Sequence, residues 1–260
     1  MNEPVVRLLA KRLAAKENTL CAWVGMNEPA VAELLAREGF DAVMLDMQHG
    51  AVDFAGASRS ILSAALAGCP SIVRVAVGEF AVASRLVDAG SSAILAPMIN
   101  SRADAERLVE FVKFPPIGRR SWGPRAALAL SGYDASGYLK SANVLVQAIA
   151  MIETRDALDA LDDILAVEGV DGVFVGPSDL SVTLSGGATV EPRGEALMHE
   201  AKRVVERANA HDKYAGMFCF DGTDARAMLA LGFRLCSVGT DQTLLRGAAR
   251  AELKAARGHG

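Results

Sequence analysis

The sequence predicts a closed (β/α)8 barrel of the TIM type, and three observations carry that reading. Eight short apolar runs alternate with segments of helical periodicity from one end of the chain to the other. Glycine follows the helical segments at Gly39, Gly68, Gly90, Gly169 and Gly232, where a left-handed residue ends a helix. No composition shift marks a second domain, and no G-x-G-x-x-G follows the first strand, as a doubly wound dinucleotide fold would require. Residues 1–260 are therefore read as one barrel domain.

Residues 4–15 are predicted as an extra helix covering the barrel bottom. Strands are predicted at 20–25, 42–47, 71–77, 93–99, 144–152, 172–176, 214–220 and 235–239. Those at 42–47 and 172–176 are rich in Val, Met, Leu and Phe without strict alternation, which suits strands buried on both faces. Between the strands, 29–37, 54–67, 103–114 and 158–167 carry apolar residues at three- and four-residue spacing. Two connections, 115–142 and 181–194, exceed ordinary loop length. Either would shape or close an active site, or serve an oligomer interface.

Composition excludes several classes. Hydrophobic residues make up 51% and charged residues 22% of the 260, an ordinary globular balance. The 27 Lys and Arg against 31 Asp and Glu leave a net charge of −4, which gives no reason to expect nucleic acid or an anionic membrane as partner. The longest uncharged stretch, 60–73, is interrupted by Pro70 and is too short and polar to span a bilayer. The N-terminus lacks the apolar core of a signal peptide, so the chain is read as cytoplasmic. Cys21, Cys69, Cys219 and Cys236 are scattered in or beside apolar runs and are read as buried free thiols.

Catalytic groups of such barrels lie at the C-terminal ends of strands. Those ends carry Asp46 and His49 on strand two, Arg74 on strand three, Glu153 on strand five, Gly176-Pro177-Ser178-Asp179 on strand six, and Thr240-Asp241 on strand eight. Glu153 and Asp179 lie one strand–helix unit apart and can point at one spot. Lacking an obvious basic partner, they would repel unless a cation sits between them. Two hard oxygen ligands, completed by water and substrate, suit Mg²⁺, Mn²⁺ or Co²⁺. Equally, both can be ordinary acids at helix N-termini. The Gly176–Asp179 turn offers free backbone N–H groups to a small carboxylate, or is simply a strand-to-helix turn with Pro at the helix start. His49 is the only histidine at a strand's C-terminal end, and Asp46 nearby would raise its basicity and fix its tautomer. His199 and His211 lie on or after the long helix before strand seven, and His259 is in the tail. Arg74, inside IVRVAV, must be paired or face the mouth, where it would stabilise a developing oxyanion. No lysine occupies a strand's C-terminal end, so a metal route is favoured over an imine route.

The runs LDMQHG, VRV, APM, PPIGRRSWGP, MIETRDAL and DGVFVGPSDL resemble the HpcH/HpaI aldolase family, in its order and spacing, over about residues 23–243. The resemblance implies a metal-dependent (class II) aldolase that cleaves or forms 2-keto-4-hydroxy acids from a small 2-keto acid and an aldehyde. It makes Glu153 and Asp179 the metal ligands, for an ion that holds a pyruvate-like donor. It assigns the donor carboxylate to the Ser178 N–H in the turn with Gly176 and Pro177, the enolate oxygen to Arg74, and the base, acting through a water, to His49. Asp88, in LVDAG, matches a family acid that raises the basicity of that histidine. Asp88 falls at the barrel bottom, so it would reach a top-face site only from a neighbouring subunit. Accordingly, the resemblance implies trimers paired into hexamers, with the last helix exchanged.

Two positions depart from the family pattern: Gln48 replaces Glu, and Met151 replaces Gln. They bear on donor and acceptor specificity and favour the members that carry an RSxGP loop and accept hydroxypyruvate. Trp23, Trp122, Arg119, Arg120 and Arg125 would shape the acceptor pocket, with a solvated loop as the alternative for the arginines. Two other readings stand beside the aldolase. One is a citryl- or malyl-CoA-type lyase using the arginine-rich loop for CoA. The other is a non-catalytic metal- or keto-acid-binding barrel, supported only by Gln48 and Met151.

Overall fold

In the computed structural model, which describes residues 3–258, eight parallel strands close into a barrel in sequence order. His259 lies outside the described residues. The chain runs α1 (Val5–Ala14), β1 (Thr19–Val24), α2 (Pro29–Arg37), β2 (Ala42–Asp46), α3 (Phe54–Leu66), β3 (Ser71–Arg74), α4 (Phe80–Asp88), β4 (Ala93–Ala96) and α5 (Arg102–Val112). It continues through α6 (Arg125–Ser131), α7 (Ala135–Leu145), β5 (Gln147–Ile152), α8 (Arg155–Asp159), α9 (Leu161–Leu165), β6 (Gly172–Val175) and α10 (Pro177–Leu184). It ends with α11 (Glu195–Ala210), β7 (Tyr214–Met217), α12 (Gly222–Leu231), β8 (Leu235–Thr240) and α13 (Asp241–Ala256). Among the described residues, no helix is long and apolar enough to cross a membrane. All four cysteines are free and buried.

The five helix-stop glycines have φ of 94°, 79°, 106°, 93° and 110°, a left-handed backbone that side chains resist. Several boundaries differ from expectation. Strands β3, β4 and β7 stop earlier than their apolar runs, although Val75, Ile99 and Cys219 beyond them stay buried against the helix layer. Val144 belongs to α7 and is exposed, so β5 begins only at Gln147. The segment 158–167 divides between α8 and α9, which meet at Ala160. The long connection 115–142 holds α6 and part of α7, with Gly132 left-handed after α6 and the Asp134 carboxylate capping α7 through the Gly137 N–H.

Helix α1 closes the barrel bottom as expected. Leu9 and Leu13, one turn apart, join the interior cluster that contains Met44, Ile72, Ile149 and Phe174. Lys113 is buried beside this end, donating to the carbonyls of Asn143 (2.7 Å) and Val146 (2.5 Å) and to Asp171 Oδ2 (2.6 Å).

Strand side chains alternate between the barrel interior and the helix layer. Met44, Ile72, Met151 and Phe174 point inward, while Leu45, Val73, Ile152 and Val175 pack outward. One alternation further along each strand, the inward positions fall to Asp46, Arg74, Glu153 and Gly176. The pattern that fills the core therefore delivers these residues to the mouth. Large and small residues interlock within the core. The Tyr214 ring occupies the space a Cβ on Gly172 would need, and the Phe174 ring does the same at Gly216.

Gly216→Ala should thus overpack the barrel: a Cβ there would lie 2.5 Å from Phe174 Cδ2 and 2.7 Å from the Leu235 carbonyl oxygen. The expected loss is about 1–3 kcal/mol, read by urea unfolding at one fixed protein concentration. Unchanged stability would show that the interior has room this packing denies.

Candidate active site

A cavity of about 290 Å³ opens at the C-terminal mouth, lined by Trp23, Asp46, His49, Arg74, Gly176, Pro177, Ser178 and Asp179 among others. Asp46 and Arg74 are direct partners in the β2–β3 register. Their side chains form a two-pronged pair, Nε to Oδ1 at 2.9 Å and Nη2 to Oδ2 at 2.7 Å, both groups buried. The Trp23 indole N–H also donates to Asp46 Oδ2 (3.1 Å), and the guanidinium lies 4.8 Å from the Trp23 ring centroid. Burial pushes the Asp46 carboxyl up. The hydrogen bonds and charge of Arg74, with help from Trp23 and the His49 backbone, outweigh it and hold the carboxyl below its ordinary value. The pair therefore persists at neutral pH and is lost only as pH falls through that lowered value.

One sequence expectation is corrected here. Asp46 does not orient the His49 ring. Its Oδ1 accepts the backbone N–H groups of Gln48 (3.0 Å) and His49 (3.2 Å), and its remaining capacity goes to Arg74 and Trp23. Asp46 shapes the loop that carries His49, and the imidazole itself is exposed at the rim.

Glu153 is buried beside Gly176 and does not itself line the cavity. Its Oε1 accepts the Met98 N–H at 2.7 Å, and Met98 adopts a left-handed φ of 54°, rare for a residue with a side chain. Gly176 faces Glu153 across β5 and β6, and a Cβ there would sit 2.4 Å from Oε2, so only glycine leaves that oxygen its place. Thr154 caps α8, and Arg155 donates to the carbonyls of Thr183 (3.2 Å) and Leu184 (2.5 Å), tying the Glu153 segment to the end of α10. Gly176 precedes α10, which places Asp179 in its first turn at the cavity wall.

Burial pushes the Glu153 carboxyl above its ordinary value. The Met98 N–H opposes this, the Asp179 charge adds to it, and the Arg74 charge lowers it again. The Asp179 charge disfavours ionisation of Glu153, and the nearby cation, Arg74, is already paired with Asp46; such an arrangement fits a divalent ion. Among the described residues no third His, Cys, Asp or Glu joins them, so further oxygen donors would come from water and substrate.

Other expected site residues lie elsewhere in the single chain. Asp88 ends α4 and pairs with Arg120 Nη2. Arg120 is buried rather than solvated, under a Phe114 ring 4.4 Å away. Trp122 is half-exposed and packs on Phe114 and Tyr138. Asp88 and Trp122 do not line the mouth cavity. Arg119 and Arg125 are exposed. Burial lowers the proton affinity of Lys113 and Lys213, but neither lines the mouth. The absence of a lysine at the strands' C-terminal ends therefore holds in three dimensions.

The sequence reading passed over Phe218, Met98 and Gln242, and named Asp241 only as a strand end. Phe218 packs edge-on against Trp23 (5.0 Å between centroids) and lines the cavity with Asp241 and Gln242. Inward alternation on β7, continued from Tyr214 and Gly216, would have found Phe218. Nothing local marks Met98.

The HpcH/HpaI aldolase/citrate lyase family model matches residues 19–248. A hydroxypyruvate/pyruvate aldolase from Rhizorhabdus wittichii is 40% identical over 92% of this chain and 94% of its own length. A 5-keto-4-deoxy-D-glucarate aldolase from Shigella dysenteriae is 32% identical over 91% of each. The crystal structure of an HpcH/HpaI aldolase/citrate lyase family protein from Burkholderia cenocepacia superposes with a TM-score of 0.87 at 31% identity, covering 96% of this chain and 99% of that one. With the barrel, the mouth carboxylates and these relatives in agreement, the chain belongs to the HpcH/HpaI aldolase/citrate lyase family and is a lyase of the aldolase kind.

Proposed function

We propose that this protein is a divalent-metal-dependent (class II) aldolase that reversibly cleaves 2-keto-4-hydroxy acids to pyruvate or hydroxypyruvate and an aldehyde. The observation that carries the reading is buried Glu153, whose ionisation the Asp179 charge at the cavity wall disfavours, with neither carboxylate ion-paired among the described residues and the nearby cation, Arg74, taken by Asp46. The names of the relatives support pyruvate and hydroxypyruvate as donors.

Glu153 and Asp179 would hold Mg²⁺, Mn²⁺ or Co²⁺, which when bound supplies Lewis-acid polarisation of the donor's keto oxygen. The backbone N–H groups of the Gly176–Asp179 turn, Ser178 first among them, receive the donor carboxylate. In the cleavage direction the C4 hydroxyl gives up its proton toward His49, the C3–C4 bond breaks, and the aldehyde departs. The electron pair passes onto the donor as an enolate, whose oxygen faces Arg74, and C3 then takes a proton. Asp46 binds Nε and Nη2 of Arg74 and so fixes the guanidinium at the cavity, and Trp23 forms the apolar wall.

The same reading takes residues 1–260 as one cytoplasmic barrel domain, working as a homo-oligomer without nucleic acid or membrane. Helix α13 supports assembly. Among its described residues only Asp241 is buried, and Leu244, Leu245 and Leu253 lie exposed. Exchange of this helix within trimers or hexamers would cover those leucines and bring Asp88, with Trp122, to a neighbour's mouth.

Two outcomes are expected. In D₂O, pyruvate or hydroxypyruvate should lose C3 protons by NMR only with the metal present. His49→Ala should slow that exchange by about 10²–10⁴-fold, and chelation or Glu153→Ala should abolish it. Absence of metal-dependent exchange with both donors would overturn the reading and make CoA thioesters the next substrates. Separately, inactive His49→Ala and Asp88→Ala proteins should recover activity when their subunits are mixed. No recovery after verified subunit exchange would place Asp88 outside the site.

A further inference from the structure

We propose that Asp241 is a positioning residue, and that through it the root of α13 holds the loop carrying His49. The proposal rests on the aldolase reading only for its kinetic consequence. Its structural part stands on the hydrogen bonds alone.

Asp241 is 4% exposed, an unusual place for a carboxylate without a cationic partner. Its Oδ2 accepts the backbone N–H groups of Gly25 (3.0 Å) and Met26 (2.8 Å), and its Oδ1 accepts the Gln242 N–H (2.8 Å). These bonds cross the seam where the barrel closes. The β1–β8 register shifts between Cys21 and Trp23, resumes with Trp23 opposite Thr240, and does not extend to Gly25. A side chain supplies the fastening that the ladder does not.

The connection continues from there. The Gly25 carbonyl accepts the Ala51 N–H at 2.8 Å. Gly50 packs directly on Gly25: a Cβ on Gly50 would lie 2.9 Å from Gly25 Cα and 2.4 Å from the Asp46 carbonyl oxygen. His49 is therefore held on both sides. Asp46 binds its backbone from the strand, and Asp241 secures, through Gly25, the residues that follow it. Thr240 starts α13 with a reciprocal cap through Thr243, so Asp241 is rigidly part of the helix start. The rest of α13 is exposed, and Asp241 is the one buried residue among those described in the helix. How the helix is seated is thereby transmitted to the His49 loop.

The test compares Asp241→Asn, which keeps one acceptor oxygen, with Asp241→Ala in the full-length protein. Amide hydrogen exchange read by mass spectrometry should accelerate at residues 48–51 in Asp241→Ala, with smaller acceleration in Asp241→Asn. The peptides containing Glu153 and Gly176–Asp179 should be unchanged. Donor proton exchange with hydroxypyruvate should show kcat lower by about 10- to 100-fold and KM little altered, as expected when a base is displaced while the donor's own contacts stay intact. Unchanged protection at 48–51 in both variants would overturn the proposal. So would protection lost uniformly around the barrel in both, which would make Asp241 a structural brace only. If the wild-type protein exchanges no donor proton, the aldolase reading fails, and the hydrogen-exchange result still decides the role of Asp241.

Discussion

The buried pair between Asp46 and Arg74 organises the mouth of this barrel. The two residues lie opposite each other in the β2–β3 register and turn inward by the same alternation that fills the core. A charge placed there must be matched, because desolvation makes an unpaired ion in that position several kcal/mol unfavourable. Every available acceptor direction on Asp46 is used, by Arg74, by the Trp23 indole and by the backbone of Gln48 and His49. One carboxylate thus sets the arginine, the aromatic wall and the first half of the histidine loop.

Across the cavity the logic is reversed. Glu153 and Asp179 are of like charge, and the local backbone is arranged to keep them near each other. Gly176 removes the side chain that would displace Glu153 Oε2, and Met98 accepts a left-handed conformation while its N–H meets the other oxygen. Conformational cost of order 1–3 kcal/mol is characteristic of functional sites, where the surroundings over-determine one residue. The mouth thus sets a paired cation, Arg74, near two carboxylates of like charge, Glu153 and Asp179.

The last helix is exposed along most of its length. An ordinary (β/α)8 barrel packs its eighth helix on the sheet. Here α13 meets β1 and β8 at its root and then presents leucines to solvent. The buried Asp88–Arg120 pair likewise stands apart from the mouth. Both features are what the proposed assembly of copies would draw on.

Much of this was legible in the residues. The eight strands, the closing N-terminal helix, the glycine stops and the residues at the C-terminal strand ends follow from local periodicity and backbone preference, which act over a few positions. Inward alternation past the last core residue places Asp46, Arg74, Glu153 and Gly176 at one end of the barrel, and the short segments that follow β2 and β6 carry His49 and Asp179 to the same end. Partnership was not legible. That Asp46 binds Arg74 and the His49 backbone rather than the His49 ring depends on register between strands. That Asp241 reaches Gly25 depends on how the first and last strands meet after the whole sheet has closed. Neither distance exists until the chain has folded. The sequence by itself determined which groups stand at the mouth, and the tertiary structure alone decided which of them hold one another.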